Sequence, residues 1–365
     1  MTHQRLVIPG AVNALGGTPN AARHLSPTSF RGDNMNLLNR RGFCLSSLSA
    51  AGALTLGIPT ARGQAQTLDL ARILLGFPAG SGGDVLARRI AERLAPGYAK
   101  QVIVENRPGA GGQLAVTAMK TAPTDGSSVL FTPLAMVGVY PHTYRSLPYN
   151  VETDLAPVTM SARIDVALAV GTAVPATVKS LPEFLEWAKA NPSRANVGSP
   201  AMGSPLHFTI VELARLSKVE LQHIPYRGTV AAIPELVGGT LPAMVSPVGE
   251  FLRHIPEGKI RVLATSGSRR SVFTPQVSTF SEQGFKELEF QDYFGVFLPA
   301  KVPATQVQAL NAAIRQAMAH PQVKEVLDAG GMEAMTGTPE ELTSALRAYS
   351  RRWEAVVKAI GFKAD

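Results

Sequence analysis

Apolar positions along this chain fall into short continuous runs, each followed by a longer stretch in which they recur about every four residues. Ile73-Leu74-Leu75-Gly76-Phe77 suits a buried strand, and Leu86, Ile90 and Leu94 keep one face of a following helix apolar until Pro96-Gly97 stops it. Between them Pro78-Ala79-Gly80-Ser81-Gly82-Gly83-Asp84 makes a tight glycine turn, with Asp84 placed to cap the helix. The same order returns with strand Gln101 to Glu105, turn Asn106 to Gly112 and helix Gln113 to Lys120. It returns again with strand Ala195 to Gly198, turn Ser199 to Pro205 and helix Leu206 to Leu216. A fourth copy has strand Leu221 to Ile224, turn Pro225 to Thr229 and helix Val230 to Val237. Each turn aims first-turn amides, at the positive end of a helix dipole, toward the space above a strand end. That is a place for a carboxylate or a phosphate.

The remaining pattern completes the frame. Strand Ser128 to Thr132 leads into a loop from Pro133 to Pro141, and strand Val166 to Val170 opens a second unit. Ser180-Leu181-Pro182-Glu183 is a capping box that starts a helix ending near Asn191-Pro192. Strands are expected near Leu241 to Val245 and Arg261 to Thr265, and Glu289 to Leu298 is extended enough to cross between units. Helices follow over Thr305 to His320, over Gln322 to Ala329, and from a cap at Thr338 to about Ile360. Strand alternating with helix predicts an α/β fold with mainly parallel sheets, whose loops gather at the carboxyl ends of the strands.

Residues 1–65 stand apart, with six arginines, one acid (Asp33) and no lysine. Asn39-Arg40-Arg41-Gly42-Phe43-Cys44-Leu45 resembles a twin-arginine export motif, and the weakly apolar run after it is too polar and short to span a membrane. The segment is expected to be a cleaved signal, with the mature start near Gln66 and translation starting at Met35. Without it the formal charge falls from +8 to +3. No basic block remains, which argues against a nucleic-acid surface. The only cysteine, Cys44, lies in the signal, so residues 66–365 hold no disulfide or thiolate metal site. A chain of that length is expected to divide in two.

Catalytic signatures are absent: there is no G-x-S-x-G elbow, no H-E-x-x-H and no glycine loop ending in Gly-Lys-Ser/Thr. Gly109-Ala110-Gly111-Gly112-Gln113-Leu114 comes closest to a dinucleotide fingerprint but ends in leucine. His207 and His223 read as a helix-end and a strand histidine rather than metal ligands, and Arg227 is either a bidentate carboxylate clamp or a solvated cation. The turns offer amides and hydroxyls but little acid-base capacity, which favours holding a molecule over transforming it.

Several of these stretches resemble one family. Phe77-Pro78-Ala79-Gly80 with Asp84 and Ala87-Arg88, Val104-Glu105-Asn106-Arg107-Pro108-Gly109-Ala110-Gly111-Gly112, and Leu147-Pro148-Tyr149 with Ala156-Pro157-Val158 are similar to motifs of tripartite tricarboxylate transporter substrate-binding proteins, the Bug family. Gly198-Ser199 through Gly203-Ser204 and His207, Pro225-Tyr226-Arg227-Gly228, Leu236-Val237-Gly238-Gly239 and Gly258-Lys259-Ile260-Arg261 continue the resemblance in the family's order. It implies a two-domain periplasmic-binding-protein (Venus flytrap) fold with crossover strands, residues 67–167 plus 290–365 forming one domain and 168–289 the other. It implies a monomer, without cofactor or metal, that captures a small organic acid in the periplasm for membrane permease subunits. An exported enzyme on the same fold and a ligand-sensing subunit for a membrane signalling partner are the alternatives.

By position the resemblance places Phe77, Gly80, Ser81, Gly82, Gly83 and Asp84 of the opening loop in the cleft, with Ser199, Met202, Gly203, Ser204 and Tyr226 opposite. Thr132, Arg227 and Ser246 complete the expected site, with Asp84 orienting its loop rather than touching an anion. Ser81 adds a hydroxyl where relatives often have glycine. Pro242 and Ser246 stand where relatives commonly carry acids, which argues against amino-acid ligands, and the apolar stretch Thr132 to Val137 suits an aromatic or branched acid.

Overall fold

The computed structural model describes residues 67–365. The expected export signal, its arginine pair and Cys44 lie outside the described residues. The described chain runs β1 (Leu68–Leu75), α1 (Gly82–Leu94), β2 (Ala99–Asn106), α2 (Gln113–Ala118), β3 (Ser128–Pro133), α3 (Ala135–Gly138), α4 (Tyr140–Thr143), α5 (Val151–Asp154) and β4 (Leu155–Ile164). It continues through β5 (Val166–Val170), α6 (Leu181–Ala190), β6 (Asn196–Ser199), α7 (Pro205–Ser217), β7 (Gln222–Pro225), α8 (Thr229–Gly238), β8 (Ala243–Pro247), α9 (Gly249–Leu252) and β9 (Arg261–Thr265). It ends with β10 (Asp292–Pro299), α10 (Ala304–Met318), α11 (Pro321–Ala329), β11 (Met332–Ala334) and α12 (Pro339–Ile360).

Two sheets result, ordered β11-β4-β10-β3-β1-β2 and β7-β6-β8-β5-β9. Each has a parallel strand-helix-strand part and an antiparallel part. β1 pairs parallel with β2 and β3, with Ile73 opposite both Val104 and Val129, whereas β10 runs antiparallel to β3 and β4. In the second sheet β6 is parallel to β7 and β8, and β5 is antiparallel to β8 and β9. The sheets are therefore mixed rather than mainly parallel, because the strands next to the crossovers run against the βαβ units.

The chain leaves the first sheet after Ile164 and enters the second at Val166, then returns between Phe290 and Asp292. The two connections touch: Gln291 Nε2 donates to Asp165 Oδ1 at 3.2 Å. Leu86, Ile90 and Leu94 of α1 pack with Ile73, Phe131, Val296 and Ile314 on one face of the first sheet. The other face, with Leu74, Leu130 and Phe297, belongs to a core that runs on into Leu168, Phe184, Phe208 and Val245 around the second sheet. Trp353 of α12 sits at that junction, 6.1 Å from Phe208, 5.2 Å from Phe290 and 6.3 Å from Tyr349 between ring centroids.

Both capping boxes form, at Ser180 with Glu183 and at Thr338 with Glu341. Three readings need correction. The cap of α1 is Ser81, whose hydroxyl accepts from Asp84 N, and Asp84 itself lies inside the first turn. The loop expected over Pro133 to Pro141 contains the short helices α3 and α4. Strands β4 and β11 were not signalled locally: β4 carries Pro157 and small residues, and its extension is fixed by β10.

Removing the ring that joins the two parts of the core should be costly. Trp353→Ala is expected to destabilise the fold by about 3–5 kcal/mol in denaturant unfolding, with Trp353→Phe retaining most of the stability.

Candidate functional site

The carboxyl ends of β1 and β2 face those of β6 and β7 across a cleft of about 780 Å³. Its walls are residues 76–78 and 108–113 from the first lobe, 200–202 and 225–228 from the second, and Tyr144, Ser146 and residues 362–365 along one side. Another depression, about 790 Å³, lies on the first lobe alone, against Arg72, Leu74, Glu105 and Arg107. Strand-to-helix turns converge only in the former, which is where α/β folds hold their ligands.

The opening turn is held rigid from behind. Asp84 Oδ2 accepts from Gly80 N at 2.9 Å and from Arg88 Nε at 3.0 Å, while Oδ1 accepts from Asn106 Nδ2 at 2.8 Å. Asn106 Nδ2 also donates to Phe77 O at 3.0 Å, and its Oδ1 accepts from Arg88 at 3.0 Å. Burial pushes the Asp84 carboxyl up, but the bonds from Arg88, Gly80 and Asn106 with the Arg88 charge outweigh it, and its pKa lies below the ordinary value. Asp84 therefore spends its charge on its own lobe. Phe77 and Pro78 line the cleft, and Pro78 lies against Gly228, where a Cβ would sit 3.1 Å from Pro78 Cδ. Gly228 has φ +95°, a second reason for glycine there.

In the second lobe the expected residues split into a lining and a support. Met202, Tyr226 and Arg227 line the cleft. Ser199, Gly203 and Ser204 stand behind them: Ser199 Oγ bonds His223 Nε2 at 2.8 Å, Gly203 N donates to His207 Nδ1 at 3.2 Å, and Ser204 caps α7. Gly228 N donates to Pro200 O and Tyr226 N to Ser199 O, lacing the two turns together. Tyr226 OH donates to Glu235 Oε2 at 2.7 Å. Thr132 and Ser246 are buried, Ser246 bonded to Thr229 at 2.9 Å, and neither lines the cleft. Of the opening-loop residues expected in the site only Phe77 does so, with its neighbour Pro78; Gly80 and the cap Ser81 precede α1, and Gly82, Gly83 and Asp84 form its first turn beside the cleft.

Other contributors carried no local signal. Gln113, Tyr144, Phe362 and Lys363 line the cleft, and Tyr144 OH reaches Met202 O at 3.3 Å. The chain end is sewn in by Ala364 N to Thr143 O and Arg145 N to Ala364 O, with Phe362 edge-on to His207 at 5.1 Å. Glu250, from the turn after β8, accepts from Gly82 N at 3.1 Å across the lobes. Burial raises its pKa, opposed by the Gly82 amide and the Arg253 charge.

Chemically the cleft offers amides, hydroxyls, the Lys363 ammonium, the Asp365 carboxylate paired with Arg145, and the exposed Arg227 guanidinium, which has no ion pair among the described residues. No group of three or more His, Cys, Asp or Glu that could hold a metal occurs among the described residues. The rings of His207 and His223 lie tilted against each other with centroids 4.1 Å apart, and burial pushes their pKa values down to about 3 and about 4, His207 also feeling His223. Both are neutral at pH 7. Since unfolded histidine takes its proton near 6.5, this stabilisation is complete above that pH and is lost as pH falls toward 4. Compared with a His223→Asn variant, the native protein should lose stability more steeply between those values, by up to about 1.4 kcal/mol per pH unit in urea unfolding.

Comparison with known proteins agrees with this geometry. Residues 86–362 match the tripartite tricarboxylate transporter family receptor TctC. Protein BugT of Bordetella pertussis is 32% identical over 80% of this chain and 89% of its own. The structure of the periplasmic binding protein BugD superposes with a TM-score of 0.75 at 25% identity, covering 81% of this chain and 99% of that one. MatC from Rhodopseudomonas palustris, solved with bound malate, gives 0.73 at 28% identity, covering 79% and 99%. The chain belongs to the TctC family of tripartite tricarboxylate transporter receptors, two-lobed solute-binding proteins rather than enzymes.

Proposed function

We propose that this protein captures a small carboxylate-bearing solute in the periplasm and delivers it to the membrane permease of a tripartite transporter. The observation that carries the reading is the cleft itself, walled by turns from both lobes and holding one guanidinium, Arg227, without an ion pair among the described residues. Charge-assisted, bidentate bonding suits a carboxylate to that cation. MatC, with a similar fold, was solved with malate, itself a carboxylate. In this reading residues 67–167 with 290–365 and residues 168–289 move as two domains about the paired crossovers at Asp165 and Gln291, opening to load and closing to exclude water. Residues 1–65 direct export by the twin-arginine route and are removed.

Thermal unfolding against mono-, di- and tricarboxylates, amino acids and aromatic acids tests it. An acid at about one hundred times its Kd should add ~2.7 kcal/mol, a rise of a few degrees. Arg227→Ala should weaken that acid by about 10- to 100-fold, the range for a lost charged hydrogen bond. No shift with any acid, and no acid released from denatured protein by mass spectrometry, would refute the reading.

A further inference from the structure

Tyr144 and Phe362 stand together along one side of the cleft and line it. Gly361, at φ +70°, ends α12 and turns the chain back toward the end of α4. Ala364 N then donates to Thr143 O at 2.8 Å and Arg145 N to Ala364 O at 3.0 Å, which pairs Ala364 with Tyr144 as in a parallel sheet. Paired residues point to the same side, and so does a residue two positions along, which sets the Phe362 ring beside that of Tyr144. Both rings close over Gly203 of the second lobe: a Cβ there would stand 3.4 Å from Phe362 Cε1 and 3.5 Å from Tyr144 Cε2. Phe362 also lies edge-on to His207 at 5.1 Å and to Phe208 at 5.4 Å between ring centroids.

This aromatic wall is therefore held by both lobes. The proton of Tyr144 OH is directed at Met202 O, 3.3 Å away, so the tyrosine offers the cleft its ring rather than a donor. Met202, with 45% of its surface exposed, continues the apolar lining. The stretch Thr132 to Val137, expected to supply that character, stays out of the cleft. We propose that Phe362 and Tyr144 are specificity-determining residues that select an acid with an apolar body over a compact one. The acid group pairs with Arg227, and the hydrocarbon attached to it leaves water for rings that are already ordered, so little entropy is lost on contact. The inference deepens the reading of the cleft as a carboxylate site and rests on it.

Calorimetric titration of the protein, of Phe362→Ala and of Phe362→Leu tests it, with acids that share one carboxylate and differ in hydrocarbon: propanoate against 3-phenylpropanoate, and butanoate against hexanoate. The native protein should bind the member of each pair with the larger apolar body more tightly. Phe362→Ala should reduce that advantage by about tenfold, equivalent to ~1.4 kcal/mol, and Phe362→Leu by about threefold. Leucine keeps apolar contact with His207 and Phe208, so this variant decides the matter if alanine fails to fold. A ring that only braced the lobes would leave the ratio unchanged while lowering the unfolding temperature. That result, or a native preference for the smaller acid, overturns the role of Phe362 and leaves the carboxylate reading intact. Failure of every acid to bind all three proteins overturns that reading and this inference together.

Discussion

The carboxylate of Asp84 is the constraint on which the cleft depends. It is almost sealed from water, with 3% of the residue's surface exposed, and every one of its observed partners belongs to its own lobe. Through Gly80, Arg88 and Asn106 it joins the turn after β1, the first turns of α1 and the end of β2 into one unit. A buried charge is tolerated only when it is paired and hydrogen-bonded, so this turn has one arrangement rather than several. Phe77, Pro78 and Gly82 are thereby presented to the second lobe in fixed positions, against the cleft, Gly228 and Glu250 respectively.

The second lobe solves the same problem without charge. Its two cleft turns are laced by backbone bonds and backed by Ser199, His223 and His207, which burial keeps neutral. Formal charge then enters the cleft on side chains that support nothing structural in these turns, above all Arg227. Rigid neutral walls with a few charges suit the selection of a small anion, since little ordering is left to occur on binding.

Much of this was legible in the sequence because it is local. The Arg261 to Thr265 strand, both capping boxes and the glycine turns depend on residues within a few positions of each other, and the family resemblance rests on the same turns. What was not legible is decided by distant partners. β4 is extended because β10 and β11 flank it, despite Pro157. Spacing alone points to Asp84 as the cap of α1; Asn106 and Arg88 claim that aspartate, and Ser81 caps the helix instead. Phe362 and Lys363 reach the cleft only because the end of the chain pairs with Tyr144. Glu250 faces Gly82 because two glycine-bearing turns, far apart in sequence, touch.

A crystal structure of the protein with a bound organic acid is the most direct measurement of the central claim. The account predicts a carboxylate between the two lobes, with the Arg227 guanidinium about 3 Å from its oxygens. An acid found instead in the depression beside Arg72 and Arg107, with the interlobe cleft empty, would contradict it.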